Sequence, residues 1–268
     1  MKYLFWNTHK NMNINPILCE LIVENRISVV VLAEYIASAD ELIDLLKYSG
    51  IHMKQFPAVG CERISIFGKI ELDMEPQLQT DHTSIQIINE KFIMCCVHLN
   101  SQIYTGSDER REIDMDCIVN ELLNLENELS TKNTIIVGDF NINPYDRSCI
   151  NARYFHGIPV YEEAMRGYRV INGKEYHMFY NPMWNFLGDF KEPYGTYYHR
   201  SSEVVTTYWN VYDQVIMRPA LRDKFVDDSL KIITETMTTS LLDINKHPNN
   251  NISDHLPIVF EFKEEHYE

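Results

Sequence analysis

Short apolar runs that each end on a polar residue punctuate the chain. Tyr3-Leu4-Phe5-Trp6 stops at Asn7, Ile27 to Ala33 stops at Glu34, and Phe92 to Val97 runs into His98. Thr134-Ile135-Ile136-Val137 likewise runs into Gly138-Asp139-Phe140-Asn141. Runs of this length, rich in β-branched residues, read as buried strands. Between the first two, Asn15 offers an N-cap with Pro16 at the first helical position, and Leu18, Leu21 and Ile22 supply an apolar stripe. Ser38 with Glu41 forms a capping box for a second helix, carried by Leu42, Leu45 and Leu46 to about residues 48–50. The chain therefore opens βαβα. Arg63 to Phe67 and Thr83 to Ile88 follow as expected strands, and Asn89-Glu90 turns the latter into the strand ending at His98, an antiparallel pattern. A helix is predicted to start near Ser107-Asp108, because Met115, Ile118, Leu122, Leu125 and Leu129 recur at spacings of 3, 4, 3 and 4.

In the second half, Val211 to Met217 is a strand pattern with one carboxylate, Asp213, inside it, where an unpaired charge is expensive. Ser253-Asp254-His255 precedes the last apolar run, Leu256 to Phe262. No internal repeat or low-complexity linker intervenes. The polar strand-end residues are spread from Asn7 to His255, so one site built from the whole chain, and a single domain over residues 1–268, is the economical expectation.

A hydrophobic content of 45% is ample for a packed core. Neither a basic-then-apolar leader nor an apolar stretch near the roughly 20 residues of a membrane span is present, so a soluble, cytoplasmic protein is expected. The six cysteines are scattered without a CxxC pair or zinc spacing and read as reduced thiols. A net charge of −15 argues against a surface coated in phosphate-binding lysines. Against that background, residues 147–174 hold five Lys/Arg and two Glu, interleaved with Tyr154, Phe155, His156, Tyr161 and Tyr168. Basic and aromatic residues together suit a nucleic-acid or phosphorylated ligand. Arg110 and Arg111, in a first helical turn where the dipole disfavours cations, also suggest a nearby anion. Arg111, Arg147 and Arg153, with Trp184 and Tyr197 from the aromatic-rich stretch that follows, are the candidate substrate contacts.

Asn7, Glu34, His98, Asp139, Asn141, Asp213, Asp254 and His255 all stand at or beside the end of a strand candidate. Each alone has a structural explanation as a turn residue, a cap or a buried histidine; the common position of the whole set does not. Carboxylates and amides without thiolates make a hard, oxygen-rich site that suits Mg²⁺ or Mn²⁺ better than zinc, and leave the histidines for proton transfer. Charge neutralisation, an activated water and help for a leaving alkoxide are the needs of phosphate-ester hydrolysis.

The order Trp6-Asn7, Leu32-Ala33-Glu34, Val97-His98-Leu99, Gly138-Asp139-Phe140-Asn141, Tyr212-Asp213-Gln214-Val215 and Ser253-Asp254-His255-Leu256-Pro257 resembles the endonuclease/exonuclease/phosphatase family across nearly the entire chain. The resemblance implies an α/β fold, a DNase I-like four-layer α/β sandwich of two mixed β-sheets packed face to face with helices on the outside. It implies Glu34 as principal metal ligand with Asn7 and Asp254 beside it, Asp213 orienting His255, and Asp139 and Asn141 aligning the nucleophile. It also implies that His98 assists the leaving group, as in the branch that includes DNase I and the sphingomyelinases. Ala33-Glu34-Tyr35 stands where Gln-Glu is more usual, and Asp213-Gln214 where Asp-Tyr or Asp-Phe is common.

Three functions follow as expectations. The first is a Mg²⁺-dependent nuclease cutting DNA or RNA, with nucleic acid as partner. The second is a phosphatase or phosphodiesterase acting on a small or lipid phosphate, such as an inositol phosphate or a sphingomyelin-like substrate. The third is a binding protein that keeps the fold without catalysis, against which the intact set of polar residues speaks.

Overall fold

The apolar runs become the central strands of two mixed sheets in the computed structural model, which describes residues 1–101, 108–202 and 204–263. In chain order the strands are β1 (Lys2–Asn7), β2 (Val29–Ala33), β3 (Met53–Phe56), β4 (Ile64–Lys69), β5 (Met74–Thr80), β6 (Thr83–Ile88), β7 (Phe92–His98) and β8 (Thr134–Asp139). They continue as β9 (Gly157–Ile158), β10 (Tyr168–Ile171), β11 (Lys174–His177), β12 (Phe179–Tyr180), β13 (Tyr197–Tyr198), β14 (Trp209–Asn210), β15 (Asp213–Met217), β16 (Lys231–Ile232) and β17 (Ile258–Glu261). One sheet runs β16-β17-β1-β2-β4-β3 and the other β5-β6-β7-β8-β15-β12-β9. Helices α1 (Asn15–Asn25) and α2 (Ala39–Tyr48) follow β1 and β2, and α3 (Glu109–Glu128) links β7 to β8.

Alternation along the strands explains the layering. Met94 and Cys96 of β7, with Ile135 and Val137 of β8, join the core shared with β1, β2 and β17. Their neighbours Ile93, Cys95, Val97 and Ile136 face the other way and pack with Met115, Ile118, Leu122 and Leu125 of α3. On the first sheet, Leu18, Leu21 and Ile22 of α1 and Leu42 and Leu46 of α2 pack into the same core as β1 and β2. A strand buried on both faces needs a continuous apolar sequence, which is why these runs do not alternate with polar residues.

Several elements differ from their sequence expectation. Asn15 is the first helical residue rather than the N-cap: Ile14 takes that place without a side-chain bond. The Asn15 amide is buried and donates to Ser38 O at 2.9 Å and to Glu41 Oε2 at 2.6 Å, tying α1 to α2. Glu41 is thereby drawn towards α1, while its own N–H donates to Ser38 Oγ at 3.2 Å. Asp108 stands at the N-cap position of α3 without a side-chain capping bond, and Ser107 of the expected start lies outside the described residues. β3 and β5 are absent from the sequence expectation: β3 is only four residues long and buries just its ends, Met53 and Phe56, while β5 is largely solvent-facing and carries Pro76 and a register shift. The β10/β11 hairpin was also missed, although Asn172-Gly173, both at positive φ, is a strong two-residue turn signal. All six cysteines are free thiols. Among the described residues no helix is long and apolar enough to cross a membrane.

Gly138 explains how β7 and β8 come close enough to align their ends. Its φ is +156°, and a Cβ built there would lie 1.9 Å from Val97 O of the neighbouring strand. Gly138→Ala is therefore expected to destabilise the protein by about 3 kcal/mol or more, since the obstacle is backbone and cannot rotate away. Urea unfolding of the variant measures this; a loss below about 1 kcal/mol would contradict the close approach.

Candidate active site

Strand order and register place the polar strand ends in two facing rows. In the first sheet β1 runs parallel to β2 and antiparallel to β17. The C-terminal ends of β1 and β2 and the segment entering β17 thus share one edge, in the order Asp254-His255, Asn7, Glu34. In the second sheet β8 pairs parallel to β7 and antiparallel to β15, with His98 opposite Asp139 and Asp139 opposite Asp213. The second row is therefore Asp213, Asp139, His98.

Each position in one row meets its counterpart in the other. In the middle, Asn7 Nδ2 donates to Asp139 Oδ2 at 3.0 Å. At one end His98 Nε2 lies 3.7 Å from Glu34 Oε1, and at the other His255 Nδ1 lies 2.8 Å from Asp213 Oδ2. Asp139 is the common neighbour, because its Oδ2 is also 3.7 Å from His98 Nε2 and 3.9 Å from His255 Nε2. Its Oδ1 accepts the Asn141 N–H at 2.9 Å.

Local backbone fixes these side chains. Glu34 leaves β2 at φ +52°, with its N–H on Arg63 O, and its O accepts both the Lys10 N–H and the Thr8 hydroxyl. Asn141 is also left-handed at φ +52°, a conformation Asn tolerates better than most residues, and its Nδ2 donates to Leu99 O at 2.9 Å. Ser253 Oγ donates to Asn7 O at 2.7 Å and accepts the His255 N–H at 3.0 Å, so the β17 entry is pinned to the end of β1. Trp6 Nε1 donates to His255 O at 2.8 Å.

The electrostatics follow from burial and these neighbours. Burial alone would keep His255 neutral, but the Asp213 and Asp139 carboxylates outweigh it and hold the imidazole well above its ordinary value, at about 10. Burial pushes Asp213 up to about 6 against the opposing pull of His255. His98 moves the other way: burial lowers it, and Asp139 and Glu34 offset that only in part.

Asp139, Asp213 and His255 present ligand atoms within 4.8 Å of one another, a grouping that could hold a metal ion. However, Asp213 Oδ2 and His255 Nδ1 already engage each other. The carboxylates of Glu34 and Asp254 are instead partly open, with side chains 23% and 25% exposed, and both are hard oxygen donors. Asn7 Oδ1 accepts the His9 N–H at 3.0 Å and keeps a second lone pair, while Asp254 Oδ1 lies 3.1 Å from His9 Nδ1. His9 was not singled out in the sequence; a lone histidine one turn past a strand end carries no signal by itself.

The expected substrate contacts divide. Tyr197 lies beside the dyad, its ring 4.7 Å from His255 and stacked 5.3 Å from Tyr212. Trp184 is half-buried and meets Tyr145 edge-on at 6.5 Å. Arg147 is exposed at the start of the short helix α4 (Arg147–Ile150), which follows the Asn141 loop. Arg111, by contrast, is 2% exposed, with protein groups for partners. Arg153 pairs with Asp116 at 3.0 Å, Arg166 with Glu163 at 2.9 Å, and Arg169 donates to His156 Nε2 at 2.9 Å. Moreover, the β10/β11 hairpin leads into β12, which pairs with β15 at Met217, the opposite end of that strand from Asp213. The basic segment is therefore not a continuous positive track leading to the two rows: most of its cations are matched locally, and part of it lies at the far end of the sheet.

No known protein-family profile matches the sequence, and no curated protein sequence matches it. Solved structures do. An AP endonuclease from Archaeoglobus fulgidus aligns with a TM-score of 0.58 at 11% identity, over 98% of this chain and 100% of that one. Truncated Caenorhabditis elegans TDP2 aligns with a TM-score of 0.57 at 13% identity, over 98% and 97%. The 3′ phosphatase NExo from Neisseria, solved with a product DNA hairpin, aligns with a TM-score of 0.52 at 15% identity, over 98% and 100%. At such identities the likeness is one of fold. The chain thus has the DNase I-like α/β sandwich fold of the endonuclease/exonuclease/phosphatase proteins, the fold that the order of its strand-end motifs implied.

Proposed function

We propose that this chain is a divalent-metal-dependent phosphoesterase that hydrolyses phosphodiester bonds of nucleic acid. The observation that carries the reading is the pair of facing rows, which gathers three carboxylates, two histidines and an amide around Asp139. Glu34 and Asp254, with Asn7 between them, would hold Mg²⁺ or Mn²⁺; when bound, such an ion supplies charge neutralisation at the phosphate and a more acidic water. His255, held cationic between two carboxylates, binds a non-bridging phosphate oxygen through Nε2. Asp213 fixes its ring by holding Nδ1. Asp139, an acceptor steadied by Asn7 and Asn141, takes the proton of the attacking water. His98 stands on the far side of Asp139, where it serves the leaving oxygen. The fold neighbours that act on or bind DNA add weight to nucleic acid as substrate.

A second reading, a small phosphorylated substrate, is favoured by the net charge of −15 and by the locally matched arginines. One assay separates them. Supercoiled plasmid, single-stranded DNA, RNA, inositol phosphates and sphingomyelin are incubated with the protein in Mg²⁺, Mn²⁺ or EDTA. Nicking or shortening of nucleic acid in Mg²⁺ or Mn²⁺, abolished by EDTA, is the expected result. Turnover of small phosphates alone removes the nuclease reading, and hydrolysis of none of them removes the phosphoesterase.

A further inference from the structure

Arg111 sits in the first turn of α3, where the helix dipole disfavours a cation, and its side chain is 2% exposed, where a charge must be matched. Both circumstances oppose it, so its partners must outweigh them. Nη2 pairs with the Asp108 carboxylate. Nη1 donates to Asn100 O at 3.1 Å and reaches Asn141 O at 3.4 Å.

The two carbonyls are not arbitrary. Asn100 lies two residues beyond His98 and Asn141 two residues beyond Asp139, and His98 and Asp139 are cross-strand partners at the ends of β7 and β8. One guanidinium therefore holds both loops where they leave the second row. The Asn141 side chain adds a parallel link to Leu99 O, and its own N–H is the donor to Asp139 Oδ1. Arg111 holds the Asn141 carbonyl, on the other side of the Asn141 α-carbon from that N–H, so losing this hold would loosen the residue that donates to the central carboxylate and with it the carboxylate's orientation.

We propose that Arg111 is a positioning residue for catalysis, a buried clamp that fixes the His98 and Asn141 loops against each other and so sets the direction of the Asp139 carboxylate. Its role rests on the phosphoesterase reading of the same site. It does not contact phosphate, because its side chain is 2% exposed and both terminal nitrogens are already engaged by protein oxygens. This replaces the substrate contact expected from its place in the sequence. A lysine there would keep the charge but lose the planar fork that spans two partners.

Arg111→Met and Arg111→Lys are compared with wild type and with Arg218→Met, which removes another buried arginine near the opposite end of β15. Two readouts are taken: kcat and KM on bis(p-nitrophenyl) phosphate with Mn²⁺, and amide hydrogen exchange. Arg111→Met is expected to lower kcat by about 10- to 100-fold with KM within about threefold, the size of effect that misplacing a reacting group produces. Arg111→Lys is expected to recover part of that loss. Asn141 N–H exchange is expected to accelerate at least about tenfold in Arg111→Met while the β15 amides do not change, and Arg218→Met should leave Asn141 exchange as it is. A raised KM with unchanged kcat, unchanged Asn141 exchange, or exchange accelerated equally throughout the protein overturns the clamp. If wild type cleaves no phosphate ester, the phosphoesterase reading falls by itself, and the exchange experiment still decides whether Arg111 holds Asn141.

Discussion

Asp139→Asn is expected to lower kcat on a phosphodiester by about 1000-fold while the protein still folds. Asp139 lies between both ends of the site: its Oδ2 is within 3.9 Å of both His98 Nε2 and His255 Nε2. It also accepts from Asn7 Nδ2 and from the Asn141 N–H. The amide keeps the shape and one acceptor oxygen but loses the negative charge that draws a proton from water. Its NH₂ group must also face one of the two donors, so stability is expected to fall by about 1–3 kcal/mol. Steady-state kinetics with Mg²⁺ or Mn²⁺, together with thermal unfolding, separates the two effects. Activity within tenfold of wild type in a folded variant would remove Asp139 from the chemistry.

How far the sequence foretold this arrangement depends on the element. Strands buried on both faces were legible because a continuous apolar run has no other use at that length, as in β1, β2, β7 and β8. Edge strands such as β5 were not, since an exposed edge imposes no pattern on its side chains. The polar residues were legible as a set because a carboxylate or histidine closing an apolar run has little packing rationale. Their mutual geometry was not. Asn7 meets Asp139 across 132 residues of sequence, and that meeting is decided by which strands pair and in what register.

Charge shows the same limit. Arg111 and Arg153 are substrate contacts in the sequence expectation, but partners that sequence does not show, some from other elements, engage both. Asp116 of α3 takes Arg153, and the Asn100 and Asn141 carbonyls join the neighbouring Asp108 carboxylate in taking Arg111. Local net charge is a sum over neighbours in sequence, whereas an electrostatic footprint is a sum over neighbours in space. The Gly138-Asp139 strand end illustrates the complementary case. There the glycine's need follows from its own φ of +156° and from the backbone of β7 at Val97.

His255→Ala is expected to reduce kcat by about 100- to 1000-fold and, at neutral pH, to lower stability by about 3–5 kcal/mol. The stability loss arises from what remains: Asp213 is fully buried, and without the ring at 2.8 Å its carboxylate has no ionic partner among the described residues. Adding Asp213→Asn to the same background should therefore restore stability, so that the double variant is more stable than the single one. The pH dependence of that gap has a definite sign. Burial already holds the Asp213 pKa up, at about 6 with His255 present, and loss of the cation raises it further, against about 3.9 in the unfolded chain. Between the two values the folded single variant keeps a proton that the unfolded chain has released, so its stability falls as pH rises through that window. The gap between single and double variants should thus be full at pH 8 and close as pH falls towards about 4. Urea unfolding of both proteins across that range measures it. A double variant no more stable than the single at pH 8, or a gap indifferent to acid, would mean that Asp213 and His255 do not form a charged pair.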